Sequence, residues 1–202
     1  MELEQKNKVL YIIAGANGSG KSTLAQVLLQ FKNIEFLNAD EIAKEIAPNA
    51  INSVPITAGK MYFRRLKAMF DKNCSFAVET TLSGVNIIKI INQAKKRGYL
   101  IKLIYTFLDS CTTCIERVHQ RVRNGGHSVP EGDIVRRYYK SIDRFWNDYR
   151  FMVDEWSLFY NGYKYSPVLV SYGISDNYDI INLELQQKFE QLIFLGVNNA
   201  KY

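Results

Sequence analysis

The segment GANGSGKS, Gly15 to Ser22, satisfies G-x-x-x-x-G-K-[ST] at every fixed position. Each residue type there has a chemical reason. Gly15, Gly18 and Gly20, interleaved with Ala16, Asn17 and Ser19, let consecutive backbone N–H groups turn inward around a β-phosphate. Lys21 reaches β/γ oxygens as a point charge, and Ser22 can hold Mg²⁺ through its hydroxyl. The motif follows an apolar strand and opens a helix whose N-terminus adds partial positive charge, so Thr23 in that first turn joins the binding set. The chemistry is that of a nucleoside triphosphate, with ATP and Mg²⁺ as the expected cofactors.

Three carboxylates stand at predicted strand ends. Asp40 closes IEFLNAD, Glu79 closes FAVE, and Asp109 precedes Ser110 after YLIKLIYTFLD. That edge is where open α/β sheets bind ligands. Asp40 there can orient the proton of an acceptor hydroxyl, or it can cap the helix EIAKEIA. Glu79 reads as a Walker-B-like metal-shell acid or as a substrate contact. Asp109 and Ser110 are both explained by helix capping alone.

Basic residues cluster between Arg117 and Arg150, with Arg117, Arg121, Arg123, Arg136, Arg137, Lys140 and Arg144 between or at the ends. Arginines pair bidentately with phosphate oxygens, so part of this cluster reads as a lid closing on the transferring phosphoryl group, and part as a solvated helix face. Cys111 and Cys114 form a single C-x-x-C without partners for zinc and read as two small residues in a helix's first turn. His127 and Pro130 shape a loop. The aromatic run from Tyr138 to Tyr165 reads as core and lid packing.

These residues need elements to position them. Strands are expected over KVLYIIAG, IEFLNAD, SFAVETT, YLIKLIYTFLD, SLFYNG and PVLVSYG. Helices are expected over KSTLAQVLLQF with its stripe Leu24, Val27, Leu28 and Phe31, over EIAKEIA, and over ITAGKMYFRRLKAMFDKN capped by Thr57. Further helices follow over GVNIIKIINQAKKRG, SCTTCIERVHQRVRN, PEGDIVRRYYKSIDRFWNDYRFMV and INLELQQKFEQLIFLG. Alternating strands and helices imply parallel βαβ units. The fold class is therefore α/β: a P-loop NTPase-type three-layer fold with a mostly parallel central sheet and a helical arginine-rich lid. One domain is expected over 1–202, with the lid at about 117–140.

Composition sets outer limits. The 202 residues are 47% hydrophobic and 23% charged, ordinary for a soluble globular domain. No apolar run approaches the roughly 20 residues of a membrane span. The polar start MELEQKNK does not read as a signal peptide, and three cysteines give no disulfide framework, so a cytoplasmic location is expected. The formal charge of +6 is compatible with nucleic acid, but a small molecule rather than nucleic acid is the expected partner. The absence of N-K-x-D argues against a GTPase. The absence of a signature loop argues against an ABC-type ATPase.

Four blocks in order, GANGSGKS, LNADEIAKEIAP, ETTLSG and ERVHQRVRNGGHSVPEGDIVRRYYKSIDRF, resemble the zeta-toxin-like P-loop kinases from about Lys8 to Phe145. The resemblance implies a kinase that phosphorylates a sugar hydroxyl of UDP-N-acetylglucosamine and is held inactive by an antitoxin protein. It implies Asp40 as catalytic aspartate, with Glu79 and Thr81 as substrate-sugar contacts. It also implies arginines such as Arg117, Arg121 and Arg136 or Arg137 as phosphate clamps, Arg121 acting with Lys21 in catalysis. The sequence after Phe145 carries no recognisable sugar-binding block. Kinases of another acceptor (a nucleoside, an antibiotic or a nucleic-acid 5′ hydroxyl) and an ATP-binding module without turnover are the alternatives.

Overall fold

The computed structural model describes residues 8–29, 34–48, 50–163 and 166–199. Phe31 and Tyr165 lie outside the described residues. In chain order the elements are β1 (Val9–Ala14), α1 (Lys21–Leu29), β2 (Glu35–Leu37), α2 (Ala39–Ile46), α3 (Pro55–Lys72), β3 (Phe76–Thr80) and α4 (Asn86–Lys96). There follow β4 (Leu100–Phe107), α5 (Cys111–Arg123), α6 (Glu131–Asn147), β5 (Glu155–Tyr160), β6 (Val168–Ile174), β7 (Asn177–Ile180) and α7 (Leu183–Asn199).

The strands form one sheet in the order β2-β3-β1-β4-β5-β6-β7. The first five are parallel to their neighbours, and β6 and β7 run antiparallel. β1 is central because nearly every residue in it is apolar and buried, which suits a strand covered on both faces. Its neighbours β3 and β4 belong to chain segments that depart in opposite directions. The carboxyl end of β1 is therefore a switch point, where a crevice opens above the sheet. The glycine motif occupies that place.

Helices cover the two faces unequally. One face carries the main core: Leu10, Ile12, Val78, Leu103 and Tyr105 of the strands meet Phe70, Ile90, Ile142, Phe145 and Phe189 of the helices. Tyr105 stacks on Phe145 with ring centroids 4.3 Å apart, and Phe189 packs edge-on against both. Such aromatic pairs add about 0.5–1.5 kcal/mol each beyond area burial, which locks α6 and α7 onto β4. On the opposite face a small cluster of Tyr11, Ile13 and Ala77 meets Ala25 of α1. Aromatic packing thus accounts for Tyr138, Phe145, Tyr149 and Trp156, all buried.

Several boundaries differ from the sequence expectation. α3 begins at Pro55 and has no side-chain cap, so Thr57 sits inside its first turn. Proline favours that place because its fixed φ suits a helix start and its missing N–H would have no partner there. α6 ends at Asn147, short of Val153, because a single 3-10 turn at Tyr149–Phe151 redirects the chain into β5. There the Arg150 guanidinium lies 4.0 Å over the Trp146 ring and its Nε donates to the Trp146 carbonyl. Burial lowers its pKa, and this arginine belongs to the aromatic core, not to the phosphate cluster. β7 was not expected, since NYDI is too short and polar to carry a strand signal. Pairing with β6 makes it one.

Candidate active site

The loop between β1 and α1 is held from two sides. Gly18 and Gly20 have positive φ angles of 81° and 89°. A Cβ at Gly18 would strike the Cys114 carbonyl oxygen at the start of α5, and one at Gly20 would strike the Asn161 amide. Only glycine meets both the left-handed backbone and the close approach. The Asn161 side chain donates to the Ser19 carbonyl at 2.8 Å, pinning the loop from the end of β5. The N–H groups of the first turn of α1 have no intrahelical partner by geometry, which gives that turn the capacity to hold an anion.

Lys21 and Ser22 open α1, which fixes their side chains at the floor of the crevice. Lys21 is buried; its Nζ donates to the Ala16 carbonyl at 2.8 Å and lies 3.6 Å from Glu79 Oε1. Ser22 Oγ donates to Glu79 Oε2 at 2.8 Å, and Asn38 Nδ2 donates to the same oxygen at 2.9 Å. Glu79 is thus held by three polar neighbours at the end of β3. Behind it on α3, burial pushes the Tyr62 phenol up to about 12, and the Glu79 charge adds to that.

The pair Ser22 and Glu79 supplies hard oxygens beside a phosphate cradle. No group of three or more His, Cys, Asp or Glu side chains among the described residues is arranged to cage an ion. This donor set fits Mg²⁺, which takes one or two protein ligands and completes its shell from phosphates and water.

Asn38, not Asp40, caps α2: its Oδ1 accepts from the Asp40 N–H at 2.8 Å. That leaves the Asp40 carboxylate free of the capping role, and it lines the same cleft as Gly20, Lys21 and Glu79. The cleft is about 490 Å³ and also receives Thr23, Arg117, Arg121 and Tyr163.

The arginines separate. Arg117 Nη2 donates to the Asn161 carbonyl at 2.9 Å, and Arg121 Nη2 to the His127 carbonyl at 2.7 Å; both line the cleft. Arg137 donates to the Asn17 side chain in the glycine loop at 3.2 Å and to Asp133 at 3.1 Å. Arg136 is exposed, pairs with Asp133 at 2.9 Å and does not line the cleft. Arg144 instead holds the Gly84 carbonyl at 3.1 Å. Thr81 also stands apart, one residue past β3, sharing a 2.8 Å hydrogen bond with Ser83.

Asp109 faces away from phosphate chemistry. Burial alone would raise its pKa, but the Tyr160 hydroxyl at 2.5 Å and Lys188 at 3.1 Å outweigh it and hold the carboxyl below its ordinary value. Ser110 is the cap of α5, accepting from the Thr113 N–H. Cys111 and Cys114 are free thiols at that helix start, and burial pushes Cys114 up to about 12. Asn38, Asn161 and Tyr163 were not anticipated. Asn38 had a readable signal, an asparagine one step before a helix. Asn161 and Tyr163 had none, because only the sheet brings the end of β5 to the glycine loop.

A parallel sheet ordered β2-β3-β1-β4-β5, with a glycine cradle at the end of its central strand and arginines on the following helices, defines a P-loop kinase-like domain. The chain belongs to the AAA domain family, whose model matches residues 10–137. It is 33% identical over 134 residues to an uncharacterized protein of Haemophilus influenzae, covering 66% of this chain and 94% of that protein. It is 31% identical over 80 residues to a shikimate kinase of Trichormus variabilis, covering 39% of this chain and 44% of the relative.

Among solved structures, AvrRxo1-ORF1:AvrRxo1-ORF2 with sulphate ions superposes with a TM-score of 0.71 at 17% identity, over 92% of this chain and 64% of that one. The same complex with ATP gives 0.69 at 16% identity, over 92% of this chain and 64% of that one. This chain therefore spans just under two thirds of that neighbour. The PezAT toxin-antitoxin system of Streptococcus pneumoniae gives 0.62 at 13% identity, over 98% of this chain and 89% of that one. These likenesses establish the fold. No helix among the described residues is long and apolar enough to cross a membrane.

Proposed function

We propose that this protein is a zeta-toxin-like kinase that transfers the γ-phosphoryl group of ATP to a hydroxyl of a sugar nucleotide such as UDP-N-acetylglucosamine. The observation that carries the reading is one cleft holding both halves of such a site. Lys21, Ser22 and Glu79 sit at its phosphate end, with Asp40, Arg117 and Arg121 around them.

The residues divide the work. The glycine loop and Lys21 bind the phosphates, and Arg117 and Arg121 add positive charge where it offsets the charge of the transferring group. Ser22 and Glu79 would hold Mg²⁺, which when bound neutralises phosphate oxygens. Asp40 orients the acceptor hydroxyl and takes its proton as the bond to phosphorus forms. The arginine-bearing segment at about 117–140 acts as a lid that excludes water. Arg137 reaches the loop through Asn17, so the lid role is assigned to it in preference to Arg136.

Incubation with ATP, Mg²⁺ and UDP-N-acetylglucosamine should give a phosphorylated sugar nucleotide by mass spectrometry. A blank result across a panel of UDP-sugars, with ATP binding intact, sinks the sugar-nucleotide assignment. The likeness to shikimate kinase supports a second reading, a kinase of another small-molecule hydroxyl, for which shikimate belongs in the same panel. The likeness to PezAT supports an antitoxin partner.

A further inference from the structure

The thiols of Cys111 and Cys114 take no part in the phosphate chemistry, yet they stand directly beneath it. Cys111 is the first residue of α5 and Cys114 lies almost one turn on, so both point to one side of the helix. Helix geometry sets their Cα atoms about 5 Å apart, inside the roughly 4.4–6.8 Å that a disulfide spans. Cys114 is fully buried in the main core, and Cys111, only partly covered, packs against the same cluster. Both also lie against α6. Cys111 Sγ is 3.8 Å from the Tyr139 hydroxyl, and burial pushes the Tyr138 phenol up, with Cys114 and Cys111 both adding to that. A partly open thiol beside a buried one is the arrangement of an attacking and a resolving cysteine. The third cysteine, Cys74, is exposed just before β3 and stands apart from this pair.

What this turn carries makes its redox state matter. The Cys114 carbonyl is the surface against which Gly18 of the glycine loop packs, too closely for any Cβ between them. Three residues further along α5, Arg117 lines the phosphate cleft and donates to the Asn161 carbonyl. Asn161 in turn holds the Ser19 carbonyl of the same loop. A bond between Cys111 and Cys114 would draw the Cys114 sulfur out of its core packing, and the backbone that seats Gly18 would move with it.

We infer that Cys111 and Cys114 form a dithiol–disulfide couple whose oxidation by a hydroperoxide weakens nucleotide binding at the glycine loop. The Cys111 sulfur attacks one oxygen of hydrogen peroxide and the O–O bond breaks. The thiol proton leaves on the departing oxygen as water, and Cys111 becomes a sulfenic acid. The Cys114 sulfur then attacks the Cys111 sulfur, and its proton departs with the sulfenic hydroxyl as a second water. Two electrons have passed from the sulfur pair to the peroxide, and a reducing dithiol returns them. The inference rests on the nucleotide-binding half of the kinase reading and is indifferent to the acceptor.

The test compares protein treated with hydrogen peroxide with protein kept in dithiothreitol, by peptide mass mapping and by calorimetric titration with Mg·ATP. Peroxide should join Cys111 to Cys114 and weaken Mg·ATP binding by about tenfold, and dithiothreitol should reverse both changes. Cys111→Ser should bind Mg·ATP like the reduced parent and lose the peroxide response entirely. Cys74→Ser should keep that response, because the exposed thiol lies outside the pair. The inference is overturned if peroxide leaves Cys111 and Cys114 unjoined, if the disulfide forms with Mg·ATP affinity unchanged, or if Cys111→Ser still loses affinity under peroxide. Failure of the reduced parent to bind Mg·ATP would instead sink the kinase reading, and the mass map would still report on the thiol pair.

Discussion

Ser22 Oγ donates a 2.8 Å hydrogen bond to Glu79 Oε2, tying the first residues of α1 to the end of β3. Two chain segments 57 residues apart thus present a hydroxyl and a carboxylate as one oxygen pair. Glu79→Gln keeps the shape and removes the charge. It should weaken Mg²⁺ about 10–100-fold, the size usual for loss of a group that supports a metal site. The check is activity as a function of Mg²⁺ concentration. An unchanged Mg²⁺ dependence would return Glu79 to a substrate-contact role.

Asp40 is released from capping by Asn38, so its carboxylate is not needed to start α2. Asp40→Asn should lower phosphoryl transfer about 10²–10⁴-fold, the range of a general base. ATP affinity and melting temperature should hardly move. Equal loss of turnover and ATP binding would show that the carboxylate acts on the nucleotide end of the cleft.

Asn161 fastens the end of β5 to the Ser19 carbonyl, and its own carbonyl takes the Arg117 guanidinium. Asn161→Ala leaves a buried carbonyl unpaired and should cost about 1–3 kcal/mol of stability. The KM for ATP should rise as well, because the loop loses its brace. Denaturant unfolding and ATP titration together separate the two effects.

Neighbouring arginines should behave differently. Arg136→Ala removes an exposed pair with Asp133 and should change stability by about 0.5 kcal/mol or less. Arg137→Ala removes the hydrogen bond to Asn17 in the glycine loop and should raise the KM for ATP several-fold. A larger ATP defect in the Arg136 variant would reverse the assignment of the two.

Acid should loosen the β5 end of the sheet through Asp109. Its folded pKa is held below the ordinary value of 3.8 by Tyr160 and Lys188, against the opposing effect of burial. A depressed carboxylate contributes stability above its unfolded pKa and loses it as pH falls through the folded one. The contribution is therefore complete at neutral pH and disappears below about 3.8. Asp109→Asn should flatten that part of the acid limb in thermal melts between pH 5 and 2. Identical limbs would show that the cluster carries no net stability.

The sequence by itself determined the α/β class, the phosphate cradle and the strand-end place of Glu79. These follow from local rules: an apolar run makes a buried strand, glycines permit the loop, and strand ends share one edge. The cap of α5 at Ser110 was readable for the same reason. Asp40, expected to close a strand, lies instead in the first turn of α2, because β2 ends at Leu37.

Tertiary structure alone decided the rest. The close packing of Asn161 against Gly20 braced the loop from β5. Arg137 turned toward the loop while Arg136 turned to solvent and Arg150 went into the aromatic core. β7 became a strand only through its pairing with β6. In each case the deciding partner lies far away in the chain or around a helix from a chemically identical neighbour. Periodicity and spacing report local geometry, whereas these choices depend on which distant surface each side chain meets.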